Sequence, residues 1–170
     1  SHTWSHAALV NKKLTEQHRK DEIEKGFSAV KWALGGKAPA PFFRFPGLSQ
    51  TPELTAYLAE RNIGIFSTDL DSFDFRTKNP DKVIAAVMTK LDKRGKGIVL
   101  LHDFQHSTAV ALPALLLQLK AKGFKIVHMK AKTELKTLAQ YDALIEKDVK
   151  GLAAGHGRPL SSVVRTIEEA

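Results

Sequence analysis

Two histidines four residues apart, His2 and His6, lie in the run Ser1-His2-Thr3-Trp4-Ser5-His6. On a helical turn that spacing puts both side chains on one face, so two imidazole nitrogens can reach a single metal ion. The chain holds seven histidines, so a chance pair is an open alternative. Cysteine is absent, which leaves histidine, aspartate and glutamate as the strong ligands and points to a divalent metal such as zinc. Such a metal lowers the pKa of a bound water and polarises a substrate carbonyl. His102 follows the apolar run Ile98-Val99-Leu100-Leu101 and has the chemistry of a general acid near neutral pH, or of a satisfied strand-end histidine. A carboxylate from Asp69, Asp71 or Asp74 can hold its ring. Arg44 can orient another carboxylate, stabilise developing negative charge or pair with the acidic loop.

The elements that must position these residues are short β-like runs alternating with amphipathic helices. The pattern predicts helices over 14–34, 51–61, 80–93, 107–122 and around 135–147, and strands over 41–45, 64–69, 98–101 and 124–128. Thr51-Pro52 and Asn79-Pro80 read as helix starts, and Gly35-Gly36, Gly95 and Gly123 as stops. This order argues for parallel βα units, in an open sheet or a barrel. Arg44, the segment from Asp69 to Asp74, and His102-Asp103 all fall at predicted strand ends, the side on which α/β active sites assemble. No Gly-x-Gly-x-x-Gly follows a strand and no phosphate loop is present, which argues against nucleotide chemistry.

With 170 residues, 43% hydrophobic, the chain can form one domain with a sizeable core. Lysine and arginine exceed aspartate and glutamate by 26 to 18, a net charge of +8. The basic residues are scattered without an arginine-rich, aromatic-interleaved run, so the reading is a solvated basic surface and no nucleic-acid partner. No apolar run approaches the ~18 residues of a transmembrane span. His106 reads as the start of a helix, and His18, His128 and His156 join no constellation. Trp4 and Trp32 read as packing residues more than sugar-stacking platforms, although Trp4 lies beside the proposed metal pair.

Four motifs in order, Ser1-His2-Thr3-Trp4-Ser5-His6, Arg44-Phe45-Pro46-Gly47, Asp71-Ser72-Phe73-Asp74-Phe75 and Leu100-Leu101-His102-Asp103, resemble those of polysaccharide deacetylases. These are the NodB-homology enzymes of carbohydrate esterase family four. The resemblance covers residues 1–103 by motif, 104–128 by pattern, and leaves 133–170 as a tail without one. It implies an α/β fold, a distorted, incomplete (β/α) barrel, and metal-dependent removal of acetyl groups from N-acetylated glycans. It implies that His2 and His6 bind the metal, zinc with cobalt or nickel as alternatives. It assigns His102 as the catalytic histidine, Asp74 as its carboxylate partner, and Arg44 as the residue orienting the catalytic base. The Gly47 amide falls at an oxyanion donor, and Leu100 lines the pocket for the acetyl methyl. Phe75 stands where tryptophan is common. The family's Thr-Phe-Asp-Asp-Gly-Pro motif, which supplies the base and the third ligand, does not occur. Residues 1–170 are therefore expected to be one domain, the C-terminal portion of a catalytic domain completed by a preceding segment of the same protein. Export to the periplasm, envelope or medium is the location the resemblance implies. Two rivals are a catalytically inactive sugar-binding or scaffold protein on this fold, and an unrelated metal hydrolase on a (β/α) scaffold.

Overall fold

A computed structural model describes residues 1–153. Among the described residues the chain forms two compact units, Ser1–Ile65 with 131–153, and Phe66–Lys130. Each is a parallel strand pair covered by helices. His156 and the glycine-containing tail lie outside the described residues.

In the first unit the long helix α1 spans Glu16–Ala33. Thr15 caps it by accepting from the His18 amide, satisfying one of the orphan donors of the first turn. Strand β1 (Phe42–Phe43) pairs in parallel with β2 (Gly64–Ile65), linked by helix α2 (Pro52–Glu60). Thr51 and Pro52 start α2 as cap and first-turn proline, as the sequence predicts. Ile23 and Phe27 of α1 are fully buried against Phe43, Phe45, Leu54 and Leu58. Each burial of that kind contributes about 1.5–3 kcal/mol. Helix α5 (Ala139–Ala153) begins later than the predicted 135–147 segment and packs on α1. Its buried residues Tyr141, Ile145 and Val149 are spaced by four, a stripe too thin to stand out from its polar neighbours.

Buried charge ties this unit together. The Glu24 carboxylate accepts from Tyr57 Oη at 2.7 Å and from Arg61 Nε and Nη2 at 2.9 and 3.1 Å. Arg61 Nη2 also donates to the Lys136 carbonyl at 2.9 Å. One carboxylate thus joins α1 to α2, and its arginine continues to the segment before α5. Burial, and then the carboxylate beside it, pushes the Tyr57 hydroxyl well above its ordinary pKa.

In the second unit β3 (Leu70–Asp71) pairs in parallel with β4 (Val99–Leu100), Leu70 opposite Val99 and Asp71 opposite Leu100. Helix α3 (Pro80–Arg94) connects them, capped by Asn79 and ended by Gly95 at φ +79°. Helix α4 (His106–Ala121) packs on α3, where Val83, Val87, Met88 and Leu91 meet Ala111 and Leu115. Strand β3 lies inside the segment the sequence presents as an acidic loop, because Leu70 turns into the core while Asp69 stays outside. There Asp69 accepts from Arg94 Nη2 at 2.7 Å and the Ile98 amide at 2.8 Å. The predicted strand over 64–69 is correspondingly only Gly64–Ile65. The predicted strand over 124–128 does not form. Its β-branched residues suit a strand, but no neighbouring strand supplies a ladder, and Ile126 and Val127 are 69% and 77% exposed.

Candidate active-site residues

The first unit presents the histidine pair on a loop, not on a helix. Thr3 and His6 adopt left-handed backbone conformations, φ 67° and 60°, so the helical-turn argument for their spacing is wrong. The rings meet all the same, with centroids 4.9 Å apart and planes at 71°. Side chains four apart are brought together by two left-handed residues and by anchoring to α1 and β1. The Arg44 amide donates to the Ser1 carbonyl at 3.1 Å, and His2 Nδ1 donates to the Arg44 carbonyl at 2.6 Å. Since a carbonyl only accepts, Nδ1 carries the proton in the neutral ring and Nε2 keeps its lone pair. Burial, with the charges of Arg44 and His6 behind it, outweighs that hydrogen bond and holds His2 below its ordinary pKa. A neutral imidazole with one free nitrogen is the form that binds a metal.

Two residues of α1 build this loop, and neither is evident from the sequence. The Glu22 carboxylate is buried and accepts from the Ser5 amide at 2.8 Å and the Ser5 hydroxyl at 2.9 Å, while its carbonyl accepts from the Trp4 amide. One turn on, a Cβ at Gly26 would sit 2.8 Å from the Thr3 carbonyl carbon, so only glycine lets the loop approach. Trp4 lies at the surface with Lys25 Nζ 5.8 Å from its ring centroid. Among the described residues, no group of three or more His, Asp or Glu side chains is placed to hold a metal. The donors that fit one are the two imidazoles, with Glu22 occupied by Ser5.

Arg44 directly follows β1. Its side chain is half-buried, and desolvation lowers its pKa. Among the described residues no carboxylate forms an ion pair with it. Gly47 sits in the 3-10 turn Pro46–Leu48 at φ 61°, a left-handed position natural to glycine.

The second unit brings Asp74 and His102 together, as parallel pairing of β3 and β4 requires of residues just past their carboxyl ends. Asp74 is 0% exposed. Its Oδ1 accepts from His102 Nδ1 at 2.7 Å, and its Oδ2 from the His102 amide at 2.6 Å and Thr108 Oγ1 at 2.7 Å. Burial pushes this carboxyl up, but the hydrogen bonds from Thr108 and His102 prevail and hold it below the usual carboxylate range. An ionised Asp74 only accepts, so His102 carries its proton on Nδ1 and keeps the lone pair on Nε2 in the neutral ring. Of the three candidate aspartates, Asp74 is the one on the ring. Asp69 braces β4, and Asp71 caps the turn by accepting from the Phe73 amide at 2.8 Å.

Phenylalanines surround the histidine. The Phe75 ring lies 5.8 Å from His102, and that of Phe104 lies 5.6 Å away on the other sequence side. Phe104 is 76% exposed and was not singled out by motif. Its signal in sequence is an apolar residue straight after a polar strand end. Leu100 is buried on β4. His106 opens α4, as expected of a helix start, and Asp103 is exposed.

Paired parallel strands, helical crossovers and an acid–histidine pair at strand ends define a protein of (β/α) architecture. No family model matches the sequence, and no curated protein does. Solved structures do. A peptidoglycan deacetylase of Bdellovibrio bacteriovorus is 31% identical with a TM-score of 0.69, over 78% of this chain and 36% of that one. A carbohydrate esterase family four pseudoenzyme of Bacillus anthracis is 26% identical with a TM-score of 0.63, over 74% of this chain and 42% of that one. A chitin deacetylase of the fungus Colletotrichum lindemuthianum is 24% identical with a TM-score of 0.66, over 81% and 65%. The chain belongs to the polysaccharide deacetylase family, the NodB-homology carbohydrate esterases of family four, and has their distorted, incomplete (β/α) barrel fold. It spans about a third of the length of the Bdellovibrio structure.

Proposed function

We propose that this chain carries catalytic residues of a metal-dependent deacetylase that hydrolyses the acetamide of N-acetylated glycans. The single observation behind this reading is the Asp74–His102 pair, a buried ionised carboxylate that fixes the ring's tautomer. In the proposed reaction, water adds to the acetyl carbonyl carbon, and the carbon–nitrogen bond breaks. Protonated at Nε2, His102 gives that proton to the departing amine, while Asp74 stabilises the imidazolium form. The Gly47 amide donates to the oxyanion, and Arg44 orients the carboxylate base. Leu100 and Phe75 form the wall against the acetyl methyl, and Trp4 and Phe75 contact the sugar. A divalent ion, zinc with cobalt or nickel suiting the same donors, would be held by His2 and His6 and would acidify water and polarise the carbonyl when bound. The residues present fit two ligand positions: His2 has a free nitrogen beside the His6 ring.

The reading extends to a single catalytic domain containing residues 1–170, completed by a carboxylate base and third ligand from another segment of the same protein. The peptidoglycan and chitin deacetylases among its structural relatives support a glycan substrate, and with it an exported location in the periplasm, envelope or medium. Among the described residues no helix is long and apolar enough to cross a membrane. A second reading, an inactive sugar-binding protein, draws on the Bacillus anthracis pseudoenzyme and the two-ligand set. Acetate release from N-acetylglucosamine oligomers with added zinc, by the full-length protein and its His102→Ala variant, decides between them. Equal rates in both proteins rule out the mechanism, and no release from either supports the second reading.

A further inference from the structure

Three exposed phenylalanines of the second unit, Phe73, Phe75 and Phe104, join the His102 ring in an unbroken series of ring contacts. In the order Phe104, His102, Phe75, Phe73 the centroids lie 5.6, 5.8 and 6.2 Å apart. Two of the three phenylalanines already have cations on them. Lys90 Nζ lies 4.2 Å from the Phe73 centroid, and the Arg76 guanidinium lies 4.9 Å from Phe73 and 5.2 Å from Phe75. A cation so placed uses the electron-rich face of a ring. Among the described residues no cation lies over Phe104, and its ring meets no ring but that of His102. Phe104 is also the most exposed of the three, at 76%. A free apolar ring against the proton donor of the proposed reaction is surface that a bound substrate can cover.

The backbone that carries Phe104 is fastened at both ends to the network that fixes the histidine. The Gln105 amide donates to the His102 carbonyl at 3.2 Å and closes a turn from His102 to Gln105. Before that turn, the His102 amide and Nδ1 both donate to Asp74, and after it Thr108 Oγ1 donates to the same carboxylate. Ser107 Oγ donates to the Thr77 carbonyl at 3.0 Å, tying the first turn of α4 to the end of the 3-10 turn Asp74–Arg76. Phe104 therefore keeps a set place beside the imidazole. Its ring offers a face for the C–H groups of a pyranose and, unlike tyrosine or tryptophan, demands no hydrogen bond. We propose that Phe104 is a substrate-binding residue, the platform for a sugar unit next to the one whose acetamide reacts, so that the site takes glycan chains in preference to single N-acetylated sugars. This rests on the deacetylase reading, in which Leu100 and Phe75 face the reacting unit.

The test compares the full-length protein with its Phe104→Ala and Phe104→Tyr variants, using chitotetraose and N-acetylglucosamine. Phe104→Ala is expected to weaken calorimetric binding of chitotetraose roughly ten- to hundredfold and to raise its KM by a similar factor. A platform under a non-reacting unit adds uniform binding, so the loss falls on KM and not on kcat. Phe104→Tyr, which keeps the ring face, retains most of the affinity. Binding of N-acetylglucosamine, a single unit, is the same in all three proteins, and so is the Tm. The proposal is overturned if Phe104→Ala binds chitotetraose as tightly as the parent, or loses affinity for both sugars equally. It is also overturned if the Tm falls while the preference for the chain persists, or if the parent does not bind chitotetraose at about 10 mM. Calorimetry needs no turnover, which separates the two readings. Ring-dependent binding without acetate release sinks the deacetylase reading alone, and acetate release with ring-independent binding sinks the platform alone.

Discussion

Replacing Asp74 with asparagine tests the electrostatic account of the acid–histidine pair at a single atom. Asp74 Oδ2 serves two donors, the His102 amide and Thr108 Oγ1, whereas Oδ1 serves only His102 Nδ1. Asparagine can place its carbonyl oxygen at the Oδ2 position and keep both of those bonds in neutral form. Its NH2 then stands at the Oδ1 position, where it donates. His102 Nδ1 must become the acceptor, and the neutral ring moves its proton to Nε2. Hydrogen bonds to a charged group stabilise by about 1.5–3 kcal/mol and neutral ones by about 0.5–1.5. Downgrading two and inverting the third costs roughly 3–4 kcal/mol gross. Release from burying the charge returns part of this, so the net destabilisation expected is ~1–2 kcal/mol. The functional loss is larger, because the wrong tautomer and the missing carboxylate both act on the proton donor. Acetate release should fall by roughly 10²–10⁴. Long-range ¹H–¹⁵N NMR of the imidazole reads the tautomer directly, and denaturant unfolding reads the stability. A His102 ring still protonated at Nδ1 in the variant, with full activity, would refute the argument. The same carboxylate sets a pH signature. Its pKa is lower folded than unfolded. It therefore contributes full stability above the unfolded value of about 3.9, and loses it as pH falls through the folded one. The variant should lack that acid-side component in urea midpoints measured across this range.

Glu22→Ala removes the acceptor of both Ser5 donors, and zinc affinity at the histidine pair should drop about 10–100-fold by calorimetry; unchanged affinity would mean the loop holds itself. Gly26→Ala gains about 1 kcal/mol of helix propensity but drives a Cβ to 2.8 Å from the Thr3 backbone, an overpacking cost of about 1–3 kcal/mol. A lowered Tm with weaker zinc binding is expected, and a raised Tm would count against the close approach. Glu24→Gln halves the acceptor capacity facing Tyr57 and Arg61 and should destabilise the first unit by about 2–3 kcal/mol, read by denaturant titration. Gly47→Ala meets no neighbour, so its cost is limited to about 1 kcal/mol for the left-handed backbone. Acetate release near parental rates with that small stability loss is the expected result, since the amide is retained.

Much of the architecture was legible because its signals are local. The Thr51-Pro52 and Asn79-Pro80 starts, the Gly95 stop and the apolar run into His102 each follow from short-range backbone chemistry, and the structure has them all. The resemblance carried by the ordered motifs pointed to the same family as the solved structures. Signals that depend on a partner were misread. The 124–128 run has strand residues but no ladder, and α5 looked weak because its burial depends on α1.

The sequence by itself determined the candidates for chemistry, His2 and His6 by type and spacing, and Arg44, His102 and one of Asp69, Asp71 and Asp74 by type and position at predicted strand ends. Residue types alone left three aspartates open, and the tertiary structure seats Asp74, the one the resemblance implied, on His102, because pairing β3 in parallel with β4 aligns Asp74 with that ring and sends Asp69 to Arg94. It also decided that the histidine pair is a loop feature held by the buried Glu22 and the missing Cβ of Gly26. A charged residue on a helix reads as solvated, and a glycine reads as a breaker, until a neighbouring segment lies against them. That neighbour is set by long-range packing, which no local pattern encodes.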